Sequence, residues 1–276
     1  MATARKSENP AKLKKQLDDT RRATSHLLKD LDEERTALII AEAKLMVLDK
    51  AKDEFIFLAS HQLSSPITAI LWGMQTLMGE SIGKLNPEQK DMMATIIERS
   101  KNMSDLIEGF LDATRIESSG FDLDKGEADL LKICDSIIDE QAKQIADKKI
   151  VVKKKYGQDI PHLMIGEKTV RIILQNLLTN AIKYSKPKGT VEIKLEKTAQ
   201  TVSIIVKDNG YGIPEESKSR IFTKLFRADN VKEKVPLGTG LGLYLSKSLV
   251  DKLGGKAWFE SKEGKGSTFF VDLKLS

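Results

Sequence analysis

The sequence has little of what disulfide frameworks, zinc sites and membrane spans require. Its 276 residues include one cysteine, Cys134, and three histidines. A disulfide framework and a cysteine-based zinc site are therefore excluded, and the scattered histidines do not indicate a metal cluster. No apolar run approaches the ~18 residues of a membrane-spanning helix, and the N-terminus lacks the apolar region of a signal peptide. We expect a cytoplasmic protein without a membrane segment, in which Cys134 is buried as a small apolar side chain.

Charge of both signs is abundant and mixed along the chain. The 45 basic and 40 acidic residues give a formal net charge of +5. Because the two signs are interspersed, we expect no nucleic-acid partner. The 40% hydrophobic content is enough for a packed core, and the length suggests one large or two modest domains.

Residues 1–50 differ in texture from the rest. They are dense in charge, with one proline and no glycine, and their apolar residues recur at alternating spacings of four and three. This repeat is typical of a coiled coil, with a single solvated helix as the alternative. The apolar seam consists of Leu13, Leu17, Leu27, Leu31, Leu38, Ala41, Leu45 and Leu48.

Residues 51–119 predict a helical hairpin. The first helix continues the preceding one, is expected to kink at Pro66, and ends at the turn-prone stretch 79–87. The second helix is capped by Asn86 and runs towards Ile116. Two helices leave part of their apolar faces uncovered. We therefore expect a homodimer in which two hairpins form a four-helix bundle.

Residues 120–276 alternate between short helical and strand patterns. The predicted helices cover 127–148, 166–185 and 242–253, and the predicted strands cover 150–156, 191–196 and 202–208, followed by a hairpin that turns around 263–266. Strands collected with helices on one face describe an α+β sandwich of about 150 residues.

The segment SHQLSSPIT places His61 in the middle of the first hairpin helix, on the side away from the apolar seam. A single helical histidine is most often an ordinary surface residue. An exposed, largely uncharged imidazole can also act as a nucleophile.

The segment LQNLLTNAIKYS places Asn176, Asn180 and Lys183 on one helix face, followed by Tyr184. Amide oxygens suit Mg²⁺, and a lysine suits phosphate. The alternative is a solvated polar face, opposite an apolar stripe that packs inward.

Two glycine-containing loops complete the set. DNGYGIP, with Asp208, Gly210 and Gly212, follows an apolar strand and is either a plain turn or a place where a flat ligand approaches the backbone. GTGLGL precedes a helix, which is typical of an anion site. It is not a dinucleotide fingerprint of the Rossmann type, because its third glycine comes one residue early.

Taken in order, these segments resemble the H, N, first glycine and second glycine boxes of two-component sensor histidine kinases. IFTKLFR, at 221–227, resembles the F box that lies between the two glycine boxes. The resemblance covers about residues 51–276. It implies a dimerisation and histidine-phosphotransfer domain over 51–119 and a Bergerat-fold ATP-binding domain over 120–276, with 1–50 as a coiled-coil signalling helix.

The resemblance also implies roles for individual residues. It assigns the catalytic positions to His61, Gln62 and Asn180, with His61 as phosphoacceptor and Asn180 as ligand of Mg²⁺. Tyr184 would lie against the adenine, Asp208 would bind its amino group, and Thr268 would support that end of the site. The residues implied in nucleotide binding are Asn176, Asn180, Lys183, Tyr184, Asp208, Gly210, Gly212, Lys224, Arg227, Gly238, Thr239, Gly240, Leu241, Gly242 and Thr268.

Three residues depart from the family pattern. Gln62 stands where the family usually has an acid, Ser64 where it has an arginine, and Ser65 where a threonine or asparagine often serves the phosphatase reaction. The predicted function is an ATP-dependent histidine autokinase that passes the phosphoryl group to an aspartate of a response-regulator receiver domain. The alternative, favoured by Gln62, is a catalytically weak or silent dimeric scaffold. Other Bergerat-fold ATPases, such as chaperones, lack a histidine-bearing hairpin.

Overall fold

A computed structural model describes residues 10–79, 83–117, 126–236 and 238–275. The chain divides into two units, Met1–Phe55 and Ile56–Ser276. The expected boundary between residues 119 and 120, the centre of the predicted turn at 80–82 and the seam side chains of Leu13 and Leu17 lie outside what is described.

One long helix, α1 (Pro10–Met78), runs through the first unit and into the second. It continues through Pro66 without interruption. In the first unit its seam leucines are exposed, with Leu27 at 69% and Leu38 at 60%. The helix is therefore confirmed, whereas its pairing with a second helix in a coiled coil stays a prediction.

The same helix bears on the expectation that no segment crosses a membrane. Thr20–Met78 contains a stretch long and apolar enough to span one by length and composition alone. The apolar face of a helix that packs against another helix meets the same criterion. The absence of a membrane segment thus stays a prediction.

The hairpin's second helix, α2 (Pro87–Glu117), begins where the sequence predicts. The Gln89 N–H donates to Asn86 Oδ1 at 2.8 Å, and the Asn86 N–H donates to Gln89 Oε1 at 3.0 Å. This reciprocal capping box satisfies two backbone donors at the helix start. Much of the hairpin's apolar surface is exposed in the single chain, including Phe57, Leu58, Leu63, Ile70, Trp72, Met92, Met103 and Phe110.

The rest of the second unit is a mixed α/β domain. Its elements are α3 (Leu130–Glu140), α4 (Ala142–Lys148), β1 (Val151–Tyr156), α5 (Glu167–Tyr184), β2 (Thr190–Lys197), β3 (Thr201–Asp208), a 3₁₀ helix (Glu215–Arg220), α6 (Asp229–Lys232), α7 (Gly242–Lys252), β4 (Lys256–Lys262) and β5 (Gly266–Lys274). The strands form one sheet in the order β1-β2-β3-β5-β4. Only the β1–β2 pair is parallel among these strands.

The core lies between one face of the sheet and its helices. Alternate residues of β2 and β3 are fully buried, as the two-residue period of a strand requires: Val191, Ile193, Leu195, Val202, Ile204 and Val206. α5 contacts β2 and β3, and α7 contacts β4 and β5. The predicted α+β architecture is confirmed, and Cys134 is buried as expected.

The predicted helix over 127–148 is wrong as a single element, because the chain breaks it at Gln141. The Gln141 N–H is shared between the carbonyls of Ile137 at 3.2 Å and Ile138 at 3.1 Å, which ends α3. Ile145 continues the apolar spacing across the break and packs against the core, so the sequence pattern hides it. The 3₁₀ helix and α6 are two further elements that the pattern did not predict.

Candidate active site

Two cavities in the second unit collect most of the predicted site residues. The large cavity, of about 750 Å³, is bounded by α2, α5 and the loop that enters α7. Its lining includes Asn176, Asn180, Lys183, Tyr184, Gly238, Thr239, Gly240, Leu241 and Gly242. The small cavity, of about 90 Å³, shares Asn180 and Tyr184 with it and adds Asp208, Gly212, Arg227, Asn230 and Ser267.

Helix α5 separates its polar and apolar residues between the site and the core. Ile173, Leu177, Leu178 and Ala181 are buried in the core, as predicted. The four polar residues Asn176, Asn180, Lys183 and Tyr184 are half-buried and line the large cavity. Core packing of one face thus fixes the direction of the other.

The glycine loop lies directly against this polar face. A Cβ atom at Gly242 would lie 2.5 Å from Asn176 Oδ1, so a larger residue there would displace the Asn176 side chain. The first backbone N–H groups of α7 have no partner within the helix. Together with the helix dipole, they favour an anion in the large cavity.

Two cationic side chains, Lys183 and Arg227, lie beside Gly238, the first residue of the glycine loop. Burial lowers the pKa of the Lys183 ammonium, the nearby Arg227 guanidinium lowers it further, and Asp105 of α2 acts in the opposite direction. The Arg227 guanidinium donates to the carbonyl of Pro236 at 2.9 Å and to that of Val235. Arg227 therefore ties the loop before Gly238 to the site.

Asp208 is the buried acid of the small cavity. Its side chain is 5% exposed, and burial raises its pKa to about 6 although its Oδ1 accepts two backbone hydrogen bonds. These come from the Gly210 N–H at 2.8 Å and the Ser267 N–H at 3.3 Å. Because both bonds end on Oδ1, Oδ2 is available to a ligand.

The assignment of Thr268 requires a correction. Along β5 the buried positions are Ser267, Phe269, Val271 and Leu273, while Thr268 lies on the opposite face. Ser267 lines the small cavity in its place. Since side chains alternate between the faces of a strand, an error of one residue moves the assigned side chain to the wrong face.

Lys224 lies outside the lining of both cavities. Its ammonium pairs with Glu117 at the end of α2 and lies 5.2 Å from the centre of the Tyr244 ring. The Tyr244 hydroxyl also donates to Glu117. In this structure Lys224 therefore contacts the hairpin rather than the cavities.

Sequence reasoning missed several residues that line the large cavity. The acidic residues Glu98, Asp105, Glu108 and Asp112 of α2 face it, and burial raises the pKa of Asp112. Lys148 donates to the carbonyl of Lys183 at 2.6 Å and to that of Ile182 at 3.1 Å. The missed residues belong to elements far from the recognised motifs in sequence.

His61 and Gln62 are both exposed on α1. Because the seam residue Leu63 is exposed as well, the placement of His61 away from the apolar seam stays a prediction. Neither residue lines the two cavities formed by the described part of the chain. A reaction between His61 and a ligand in these cavities therefore requires the two to be brought together by movement or by a second copy.

Two family models match the chain. Residues 51–119 match the His Kinase A (phospho-acceptor) domain, and residues 166–276 match the histidine kinase-, DNA gyrase B- and HSP90-like ATPase domain. The chain belongs to the sensor histidine kinases. The histidine kinase motifs thus fall in matching domains: His61 in the first, and Asn180, Asp208 and the glycine loop in the second.

Curated histidine kinases match over nearly the whole chain. The circadian input-output histidine kinase CikA of Synechococcus elongatus is 30% identical over 256 residues, covering 92% of this chain and 33% of CikA. The signal transduction histidine-protein kinase BarA of Escherichia coli K12 is 29% identical over 262 residues, covering 92% of this chain and 28% of BarA. This chain therefore spans about a third or less of these relatives.

A solved structure shares the fold. Full-length ShkA in complex with AMPPNP matches with a TM-score of 0.66 and 21% identity, covering 81% of this chain and 46% of ShkA. At this coverage the match includes residues of both the helical and the sheet-containing parts of this chain.

Proposed function

We propose that this chain is an ATP-dependent histidine autokinase, which phosphorylates His61 and passes the phosphoryl group to a response-regulator aspartate. The observation that carries the proposal is the pairing of an exposed histidine in a phospho-acceptor domain with a cavity that is lined by Lys183 and the glycine loop of an ATPase domain. The proposal includes three functional parts: a signalling helix over 1–50, a phosphotransfer hairpin over 51–119 and an ATP-binding domain over 120–276. Labelling with γ-labelled ATP tests it: acid-labile, base-stable label supports it, and absence of label contradicts it.

The two cavities fit the two ends of ATP. Asp208 Oδ2 in the small cavity accepts from the adenine amino group, and the ring of Tyr184 provides an adjacent surface. Lys183 and the amides of residues 238–242 bind the phosphates in the large cavity. Catalysis of phosphoryl transfer depends mainly on positioning the reactants and on stabilising the developing charge. These residues would do both.

The amide residues of α5 fit Mg²⁺. This ion keeps several waters and takes only one or two protein ligands beside the phosphates, so a cluster of acids is not required. Asn180, which lines both cavities, would hold it, with Asn176 nearby. When bound, Mg²⁺ neutralises charge that develops on the phosphate oxygens.

The exposed apolar surface of the hairpin supports a homodimer. Phe57, Leu63, Ile70 and Trp72 of α1 are all at least 46% exposed in the single chain. A second hairpin would cover such faces in a four-helix bundle. The seam leucines of the first unit are exposed as well, so a second chain would also cover the apolar face of this part of α1.

We predict that Gln62→Glu accelerates autophosphorylation. A neutral amide accepts a hydrogen bond but takes up no proton, whereas a carboxylate orients the imidazole and accepts its other proton. General-base assistance is worth about 10²–10⁴ in rate, and we expect roughly tenfold or more here. Single-turnover labelling measures it, with ATP affinity as the internal control. A flat or lower rate would show that Gln62 does not limit the chemistry.

We predict that ATP affinity falls in mild acid because of Asp208. Its pKa of about 6 is raised by burial, so the carboxyl gains a proton as the pH falls through 6. The protonated carboxyl presents an O–H to the adenine amine, which is itself a donor. If only the ionised carboxylate binds adenine, its ionised fraction, and with it the ATP affinity, falls roughly fourfold between pH 7.5 and pH 5.5. Calorimetric titration measures it, and Asp208→Asn should remove this pH dependence. A wild-type affinity that is constant over this range would contradict the role.

A further inference from the structure

Asn230, in α6, lies at the small cavity but belongs to none of the motifs recognised in the sequence. It lines this cavity together with Asp208, Gly212 and Ser267. The residue itself is half-buried. Its side chain is therefore placed where a bound base would be recognised.

The orientation of the Asn230 amide is fixed by the first glycine loop. Its Nδ2 donates to the Gly212 carbonyl at 3.1 Å. The reverse orientation would set two oxygens against each other. The loop requires glycine at this position, because Gly212 has φ +65° and a Cβ there would lie 2.1 Å from the Lys262 carbonyl oxygen.

This orientation leaves the other atom of the amide without a partner. Asn230 Oδ1 is buried and has no hydrogen-bond donor among the described residues. Buried polar atoms without a partner are rare in folded proteins and require a specific explanation. A donor supplied by a ligand in the small cavity would satisfy it.

We propose that Asn230 is a specificity-determining residue whose Oδ1 accepts a hydrogen bond from the adenine 6-amino group. This rests on the proposed function, in which Asp208 takes one hydrogen of that amine. The amine has two N–H donors, and the second matches the unpartnered oxygen of Asn230. A purine with a carbonyl at this position would instead face two acceptors, so the pair selects adenine.

Binding of ATP and ITP to the full chain tests the proposal, because ITP carries a carbonyl in place of the amine. Wild type should bind ATP more tightly than ITP. Asn230→Ala should weaken ATP by about threefold to tenfold while changing ITP little, so that the preference shrinks. The control Asp229→Asn, on the exposed side of the same helix, should leave both affinities unchanged.

The outcomes separate this inference from the function on which it rests. If wild type binds ATP and Asn230→Ala weakens both nucleotides equally, Asn230 only ties α6 to the glycine loop and the inference is overturned. If wild type binds neither nucleotide, the proposed function itself fails. Thermal melts of each variant identify any loss that is due to unfolding.

Discussion

Replacing His61 by alanine should reduce phosphoryl incorporation from γ-labelled ATP to background. His61 is the exposed histidine of the phospho-acceptor domain, and its imidazole is the nucleophile of the proposed reaction. Because the side chain is exposed on a helix, its loss should change the free energy of unfolding by no more than about 0.5 kcal/mol. The loss of label would then report chemistry rather than folding.

The chain supplies matched controls for this result. His26 lies exposed on the same helix, and His162 contacts Glu127 at 2.8 Å between Nδ1 and Oε1, away from both cavities. Alanine at either position should retain full labelling. Label that persists in His61→Ala, or a phosphate that mass spectrometry places on another residue, would defeat the assignment.

ATP binding should survive the same substitution. His61 does not line the cavities of the described structure, so His61→Ala should bind ATP with unchanged affinity. A parallel loss of binding would mean that His61 supports the nucleotide site instead of accepting the phosphoryl group.

Local signals in the sequence were sufficient for most of the fold. The alternating pattern of β2 and β3 predicted these two strands, and the apolar stripe of α5 predicted the face that this helix buries. Asn86 and Pro87 predicted the start of α2, where the structure adds Gln89 to complete the cap. In each case the determining interactions lie within a few residues along the chain.

The remaining features depend on contacts between distant segments. Lys148 reaches the end of α5 across 35 residues, and Asn230 reaches Gly212 across 18. Thr268 was expected in the site, whereas Ser267 lines the small cavity, because a motif match does not determine which face a strand residue occupies. The break at Gln141 was hidden because the apolar spacing continues through it.

Asn180→Asp should abolish labelling of His61 while leaving the fold intact. Asn180 is half-buried on α5, whereas Leu177 and Leu178 are buried in the core, and it lines both cavities. The carboxylate still offers an oxygen to Mg²⁺. However, it lacks the amide N–H donor and adds a negative charge beside the phosphates. Loss of one oriented donor alone costs about 10²–10³ in rate, so we expect a fall of at least about 100-fold.

The matched control makes the same chemical change outside the cavities. Asn86 caps α2, and asparagine and aspartate cap helices about equally well, so Asn86→Asp should label normally. EDTA should suppress labelling of wild type, because the proposed site at Asn180 acts through Mg²⁺.

Thermal melting of the nucleotide-free protein decides what a loss of labelling means. A half-buried residue on the polar face contributes little to the core, so the midpoint of Asn180→Asp should stay within a few degrees of wild type. For a domain of this size, a change of 1 kcal/mol in the free energy of unfolding moves the melting midpoint by roughly 2–4 °C. A cooperative loss of structure would identify Asn180 as a packing residue. Normal labelling of an intact variant would show that the phosphates and the metal are held elsewhere in the large cavity.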